Sequence, residues 1–272
     1  MLSTHVTTST VTDVPGPDEI LAATPLPDDM LCVYAAGATA VGWGHARSDL
    51  DVYVVSRSSP RVAWNRLAEL GADVEPDEAV VPRLSPLVEG VQAEIEYWRA
   101  DQVDAVLARF FDAHWAAGIR EDPPFTDADV EFAHRLRTGL PLVGADWLDS
   151  RRSSVDWRAL ERVLVRRRMD AADGYLDEAL GLLEHGDEDT AALSAHVAFG
   201  YVVDALTIQG GVLSVKAKWR ARLVAEVRPP ALQWDDYWAV ETFRGYDPEH
   251  GREWVETVVA RCRALMLEVE TG

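Results

Sequence analysis

Through the first 140 positions, apolar residues gather in short runs separated by glycine, proline and charge. Leu31–Ala36 is continuously apolar, and a second run follows over Asp51–Ser56. Runs this short, bounded by turn residues, predict buried strands. From Gly90 to Trp98 the pattern alternates. Val91, Ala93, Ile95 and Tyr97 fall on one face, and Gln92, Glu94, Glu96 and Trp98 on the other, which predicts a third strand. A short helix is predicted at Asp18–Ala23 and a helical turn after Gly37. Pro60 to Gly71 predicts a helix, with Val62, Trp64, Leu67 and Leu70 apolar and glycine as the stop. Asp101 to His114 predicts another. Thr126 caps one running to about Thr138, which Gly139-Leu140-Pro141-Leu142 ends. Residues 72–89, with Pro76, Pro82 and Pro86, predict loop.

From Asp156 onward the pattern is helical nearly throughout. Helices are predicted over Trp157–Glu184, Thr190–Gln209, Ser214–Val227, near Gln233–Phe243, and over Glu249–Glu268. Gly210-Gly211, Pro229-Pro230 and Tyr246-Asp247-Pro248 are the breaks. The organisation expected is a flexible N-terminus (1–16), an α/β domain (17–150) and an all-α bundle (151–272). The fold class is α+β, a mixed sheet with flanking helices followed by a helical bundle.

The stretch that carries chemistry lies between the first two strands. A glycine turn at Gly37 leads through Gly42-Trp43-Gly44 to Ser48-Asp49-Leu50-Asp51. Side chains at i and i+2 of a strand share a face, so Asp49 and Asp51 would point the same way. Two carboxylates on one edge repel unless a positive group sits between them. A divalent cation carrying a triphosphate meets that need. Two other phosphate motifs fail here. Gly42-Trp43-Gly44 lacks the third glycine of a dinucleotide fingerprint, and Trp43 stands where a P-loop needs lysine.

This segment resembles the signature of the DNA polymerase β-like nucleotidyltransferase superfamily: a glycine turn, a short helix and loop, then Ser-Asp-x-Asp opening a strand. Gly37, Ala40, Gly42, Ser48, Asp49 and Asp51 fall in register with it over Gly37–Val52. Ala38 departs, standing where the family has a serine that touches the triphosphate. Losing that hydroxyl removes a hydrogen bond to a charged group, on the order of 1.5–3 kcal/mol. Backbone N–H groups of the turn remain able to cradle phosphate. The helical second half extends the likeness, since small-molecule members such as the aminoglycoside-modifying enzymes pair the catalytic domain with a helical bundle.

The resemblance implies a third acidic residue on a later strand, as metal ligand or as base toward the acceptor. The alternating strand offers Glu94 first and Glu96 second. In-line attack of an acceptor oxygen on the α-phosphorus, with pyrophosphate leaving, develops charge at both oxygens. Two Mg²⁺ ions, typically ~3.5–4 Å apart, stabilise both. Asp49, Asp51 and Glu94 are the expected metal ligands. Gly37, Ala38, Arg47 and Ser48 form the expected phosphate turn.

Charge narrows the acceptor. The chain has 46 acidic against 26 basic residues, a net −20 over 272 residues. Such a surface repels nucleic-acid backbones and suits a small acceptor, a cationic one gaining most. Only two lysines occur, Lys216 and Lys218. The resemblance implies that one of them neutralises β- and γ-phosphates. Trp234-Asp235-Asp236-Tyr237-Trp238 and Asp127, Asp129 and Glu131 are candidates for an acidic acceptor pocket, or ordinary helix surface. Arg151-Arg152 and Arg166-Arg167-Arg168 are expected on solvated faces, paired with nearby acids.

Cys32 and Cys262 predict small buried thiols rather than a disulfide. The Thr-rich start lacks the basic and apolar regions of a signal peptide. No run reaches the ~18 apolar residues of a membrane span. A cytoplasmic protein is expected. Two alternatives remain open: the same chemistry aimed at a protein hydroxyl, as in toxin-type members, and, because of Ala38, a nucleotide-binding pseudoenzyme.

Overall fold

The computed structural model describes residues 15–45, 47–72, 75–111 and 123–271. By contacts the chain divides into two units. The first comprises the described residues up to Pro124 together with Arg135–Val155; the second comprises Phe125–His134 and Asp156 onward.

The first unit is built on a mixed sheet. Helix α1 (Pro17–Ala23) precedes strand β1 (Met30–Ala36), the one-turn helix α2 (Gly37–Ala40) and strand β2 (Leu50–Ser56). Helix α3 (Arg61–Glu69) follows, then β3 (Arg83–Leu84), β4 (Leu87–Val88), β5 (Val91–Arg99) and helix α4 (Ala100–Arg109). Helix α5 (Asp127–Thr138), strand β6 (Leu140–Val143) and helix α6 (Ala145–Ser153) come next. The strand order is β3-β5-β2-β1-β6, with β4 pairing β5 off that path. Strands β2 and β5 run parallel; the other pairs are antiparallel.

Burial explains why β2 is central. Every residue of that strand is buried except Asp51. Leu50, Val52 and Val54 join Val33, Ala35, Ala93, Ile95 and Tyr97 in one apolar cluster. Strand alternation then sends Asp51, Tyr53 and Val55 to the opposite face. Cys32 is buried and free, and burial pushes its thiol up to about 12.

Three short strands depart from the sequence expectation. β3 and β4 lie in the proline-rich stretch expected to be loop, and β6 follows the glycine expected only to end a helix. Two-residue strands carry no period to detect. β6 contains Pro141, which cannot donate to a ladder and fits only an edge. It pairs β1 at the sheet's border, Tyr34 opposite Pro141. The expected flexible N-terminus lies outside the described residues except for 15 and 16, as do residues 112–114 of the helix expected over Asp101–His114.

The second unit is helical: α7 (Trp157–His185), α8 (Glu188–Gln209), a single 3₁₀ turn (Ala217–Trp219), α9 (Arg220–Val227), α10 (Trp234–Glu241) and α11 (Gly251–Thr271). Helix α8 is long and apolar enough to cross a membrane, but 78% of its most apolar window is buried within the protein. It is the hub of the core, contributing Ala195, Phe199, Val202 and Leu206 to a cluster shared with α7 and α11. Cys262 lies in the same cluster. Asp204, also on α8, receives Arg220 Nε at 2.8 Å and Nη2 at 3.3 Å. Gly200 makes room for that guanidinium; a Cβ there would lie 2.9 Å from Arg220 Nη1.

Candidate active site in the first unit

Register places the acidic residues. Asp51 pairs Glu94, and Tyr53 pairs Glu96, across the parallel β2–β5 ladder. Paired residues of adjacent strands share a face about 4.8 Å apart. Glu94 therefore stands beside Asp51 on the face opposite the apolar cluster. Asp49, exposed, sits just before β2, and its carbonyl accepts the Thr39 hydroxyl at 2.8 Å.

The glycine turn closes against the same carboxylate. Gly37 has φ +75°, and a Cβ there would lie 1.8 Å from Asp51 Oδ2. Only glycine satisfies both the left-handed backbone and that approach. Beyond the turn the chain folds back on itself. Trp43 N–H donates to the Ala38 carbonyl at 2.7 Å, and Ser48 Oγ accepts from His45 N–H at 2.9 Å. Arg47 N–H donates to His45 Nδ1 at 3.1 Å, so that ring carries its proton on Nε2 when neutral. The Arg47 side chain is exposed.

Glu94 and Glu96, equivalent by alternation, have different surroundings. Glu94 is exposed. Glu96 is 6% exposed and holds protein partners on both oxygens. Trp98 Nε1 donates to Oε2 at 2.9 Å, and Arg83 Nη2 lies 3.0 Å from Oε1.

The structure adds one residue that local pattern missed. Arg135, on α5, sets Nη2 3.2 Å from Asp51 Oδ1 and donates through Nη1 to the Tyr53 hydroxyl. Tyr53 stacks on Tyr34 at 4.9 Å. Burial, with Glu96 nearby, drives the Tyr53 hydroxyl well above its usual range, so it stays a neutral phenol. Arg135 lies 84 residues from Asp51 in an ordinary helical pattern, and no sequence signal joins them.

Asp49, Asp51 and Glu94 are hard oxygen donors of the kind Mg²⁺ takes. Among the described residues, no group of three or more His, Cys, Asp or Glu side chains encloses a metal site. Mg²⁺ is commonly bound through one or two carboxylates, completing its shell with waters and phosphate oxygens, so the aspartate pair fits that ion with a nucleotide.

The remaining candidates fall in the second unit. Lys216 Nζ lies 3.1 Å from Glu131 Oε2, and Glu131 Oε1 accepts from Ser214 Oγ at 3.0 Å. Lys218 is exposed on the 3₁₀ turn, its Nζ 5.2 Å from the Trp219 ring centre. Of the acids that are candidates for a pocket or for ordinary helix surface, Asp127 lies 2.9 Å from Arg168 Nη2, and Asp129 accepts from Thr126 N–H at 2.8 Å. Arg168 itself is buried, against the expectation of a solvated face. Trp234 and Trp238 are exposed and stacked at 5.6 Å, while Asp236 pairs Arg261 at 2.8 Å.

No protein-family model matches the chain, and no curated protein matches it. Among solved structures it is similar to a nucleotidyltransferase-like protein from Exiguobacterium sibiricum 255-15. The identity is 10% and the TM-score 0.49, covering 92% of this chain and 72% of that one. It is also similar to spectinomycin adenyltransferase AAD(9) from Enterococcus faecialis, whose structure holds ATP and spectinomycin. There the identity is 10% and the TM-score 0.38, covering 90% of this chain and 97% of that one.

Proposed function

We propose that this protein is a nucleotidyltransferase that moves a nucleoside monophosphate from an NTP to a hydroxyl of a small molecule. One observation carries the reading. A glycine turn packs on Asp51 while Glu94 stands in register beside it, on a strand led in by Asp49. Those groups have distinct uses. The turn backbone and Ser48 shape a loop against which phosphate can lie. Asp49 and Asp51 are the residues to hold Mg²⁺, which when bound would offset charge on the phosphate and on the attacking and leaving oxygens. Exposure and register beside Asp51 support Glu94 as the group that accepts the acceptor hydroxyl's proton. The acceptor oxygen forms the new bond to the α-phosphorus as the bond to pyrophosphate breaks. Glu96, with both oxygens engaged, is assigned a structural role. The acidic surface favours a small, cationic acceptor over nucleic acid.

Turnover of α-labelled NTP against a panel of small hydroxylated amines tests the proposal. Label is expected on a small acceptor and lost in Asp49→Asn/Asp51→Asn. Label on a protein would redirect the chemistry to a macromolecular acceptor. Nucleotide binding with no turnover would favour a pseudoenzyme, the reading that Ala38 supports.

A further inference from the structure

The ion pair between Asp51 and Arg135 has an uneven construction. The two side chains are 16% and 17% exposed, and Arg135 Nη2 stands 3.2 Å from Asp51 Oδ1. The guanidinium has a second anchor independent of the carboxylate, the Tyr53 hydroxyl, and its central carbon lies 5.8 Å from the Tyr53 ring centre. Tyr53 is in turn fixed by its stack on Tyr34. Asp51 thus meets its neutralising charge within its own unit, at the carboxylate that the proposed chemistry assigns to a divalent cation. Two cations on one carboxylate repel, strongly so where water is scarce.

We propose that Arg135 is an exchanging counter-charge. It holds Asp51 in the unloaded protein, releases Oδ1 when a divalent cation binds, and then offers its freed N–H donors to the polyphosphate. The inference rests on the nucleotidyl-transfer reading and adds to it a residue and an order of events. Tyr53 makes the exchange local, because a guanidinium that loses Asp51 keeps its hold on the phenol and stays beside the strand. Its fork carries five donors, enough to serve the tyrosine and a phosphate oxygen together.

The test measures two ligands separately on the full chain. Mn²⁺ alone is titrated by electron paramagnetic resonance of the free ion, and ATP with Mg²⁺ by calorimetry. Arg135→Met is expected to bind Mn²⁺ about tenfold more tightly and Mg-ATP about tenfold more weakly, the scale of one partly buried charge contact. Arg135→Lys, which keeps the charge without the fork, should recover part of the nucleotide affinity. Tyr53→Phe leaves both partners of the ion pair in place but removes the anchor of the released guanidinium, so it should weaken Mg-ATP by a smaller factor; it carries the test if Arg135→Met does not fold. Mn²⁺ affinity unchanged or weaker in Arg135→Met, or Mg-ATP affinity unchanged in Arg135→Met or in Tyr53→Phe, overturns the exchange. If Mn²⁺ binds to neither the wild type nor any variant, the metal role of Asp49 and Asp51 fails first, and the exchange with it.

Discussion

Gly37 and Asp51 occupy adjoining space to the limit of contact: a Cβ on residue 37 would sit 1.8 Å from Asp51 Oδ2 and 2.8 Å from its Cγ. The turn and the carboxylate therefore cannot be varied independently. Replacing Gly37 with alanine must move one of them, and also imposes a φ of +75° on a residue with a side chain. Gly42 supplies the control, with φ +76° and nothing within 4 Å of its Cβ position. Gly42→Ala should lose roughly 1–2 kcal/mol for the left-handed backbone alone. Gly37→Ala should lose more, and its turnover should fall further than the folded fraction explains. Equal melts and equal rates in the two variants would remove the significance of the contact.

Glu94 and Glu96 should separate by substitution. Glu96→Gln disturbs the contacts to Arg83 and Trp98 at a buried position. It is expected to lower stability by about 1–3 kcal/mol in urea unfolding. Glu94→Gln, at an exposed position, should leave the unfolding midpoint nearly unchanged while abolishing most transfer to the acceptor. The reverse pattern would exchange their roles.

In the helical unit, Asp204→Ala removes two hydrogen bonds from the Arg220 guanidinium and leaves it the looser contact with Glu241 at 3.7 Å. Breaking a buried pair on one side typically costs about 3–5 kcal/mol. Asp204→Ala with Arg220→Met should recover much of that loss, since the guanidinium charge is then gone. Chemical denaturation of the single and double variants checks it.

Stability should also fall in mild acid through His196. Burial, its largest influence, holds this imidazole below its ordinary pKa, and its ring stacks on Phe243 at 4.6 Å. The unfolded chain then takes the proton first. The contribution is fully present above the unfolded value near 6.5 and is lost as pH falls toward the folded one. Unfolding free energies at pH 7.5 and 5.5 should drop less in His196→Phe than in wild type. An equal drop would place the acid sensitivity elsewhere.

Lys216→Met should lower stability by less than about 1 kcal/mol, because the pair with Glu131 is partly exposed and Glu131 retains Ser214. Lys218→Met, at an exposed position beside the Trp219 ring, should leave stability unchanged. A raised nucleotide KM in Lys218→Met would support its expected part in phosphate binding; no change would remove it.

Much of this protein is local and was therefore legible along the chain. Alternation at 91–98 and the apolar runs at 31–36 and 51–56 describe β5, β1 and β2, because period and burial act within a few residues. Glycine at 37 marked a turn for the same reason, whereas of the two aspartates expected on one strand edge only Asp51 lies in β2, Asp49 falling one residue before it. What the tertiary structure alone decided lies across the sheet or across the chain. Glu94 and Glu96 share a face, so alternation could not tell their surroundings apart; the β2–β5 register sets Glu94 opposite Asp51, and the fold brings Arg83 and Trp98 to Glu96. β3, β4 and β6 are too short or too proline-bearing to show a period, and exist through their pairing with β5 and β1. Arg135 meets Asp51 across 84 positions of chain, and Lys216 meets Glu131 by a similar long-range contact. Sequence determined backbone conformation and which faces are apolar, since those follow from neighbours in the chain. Only the fold decided which charge faces which, since that depends on residues dozens of positions apart brought within hydrogen-bond reach.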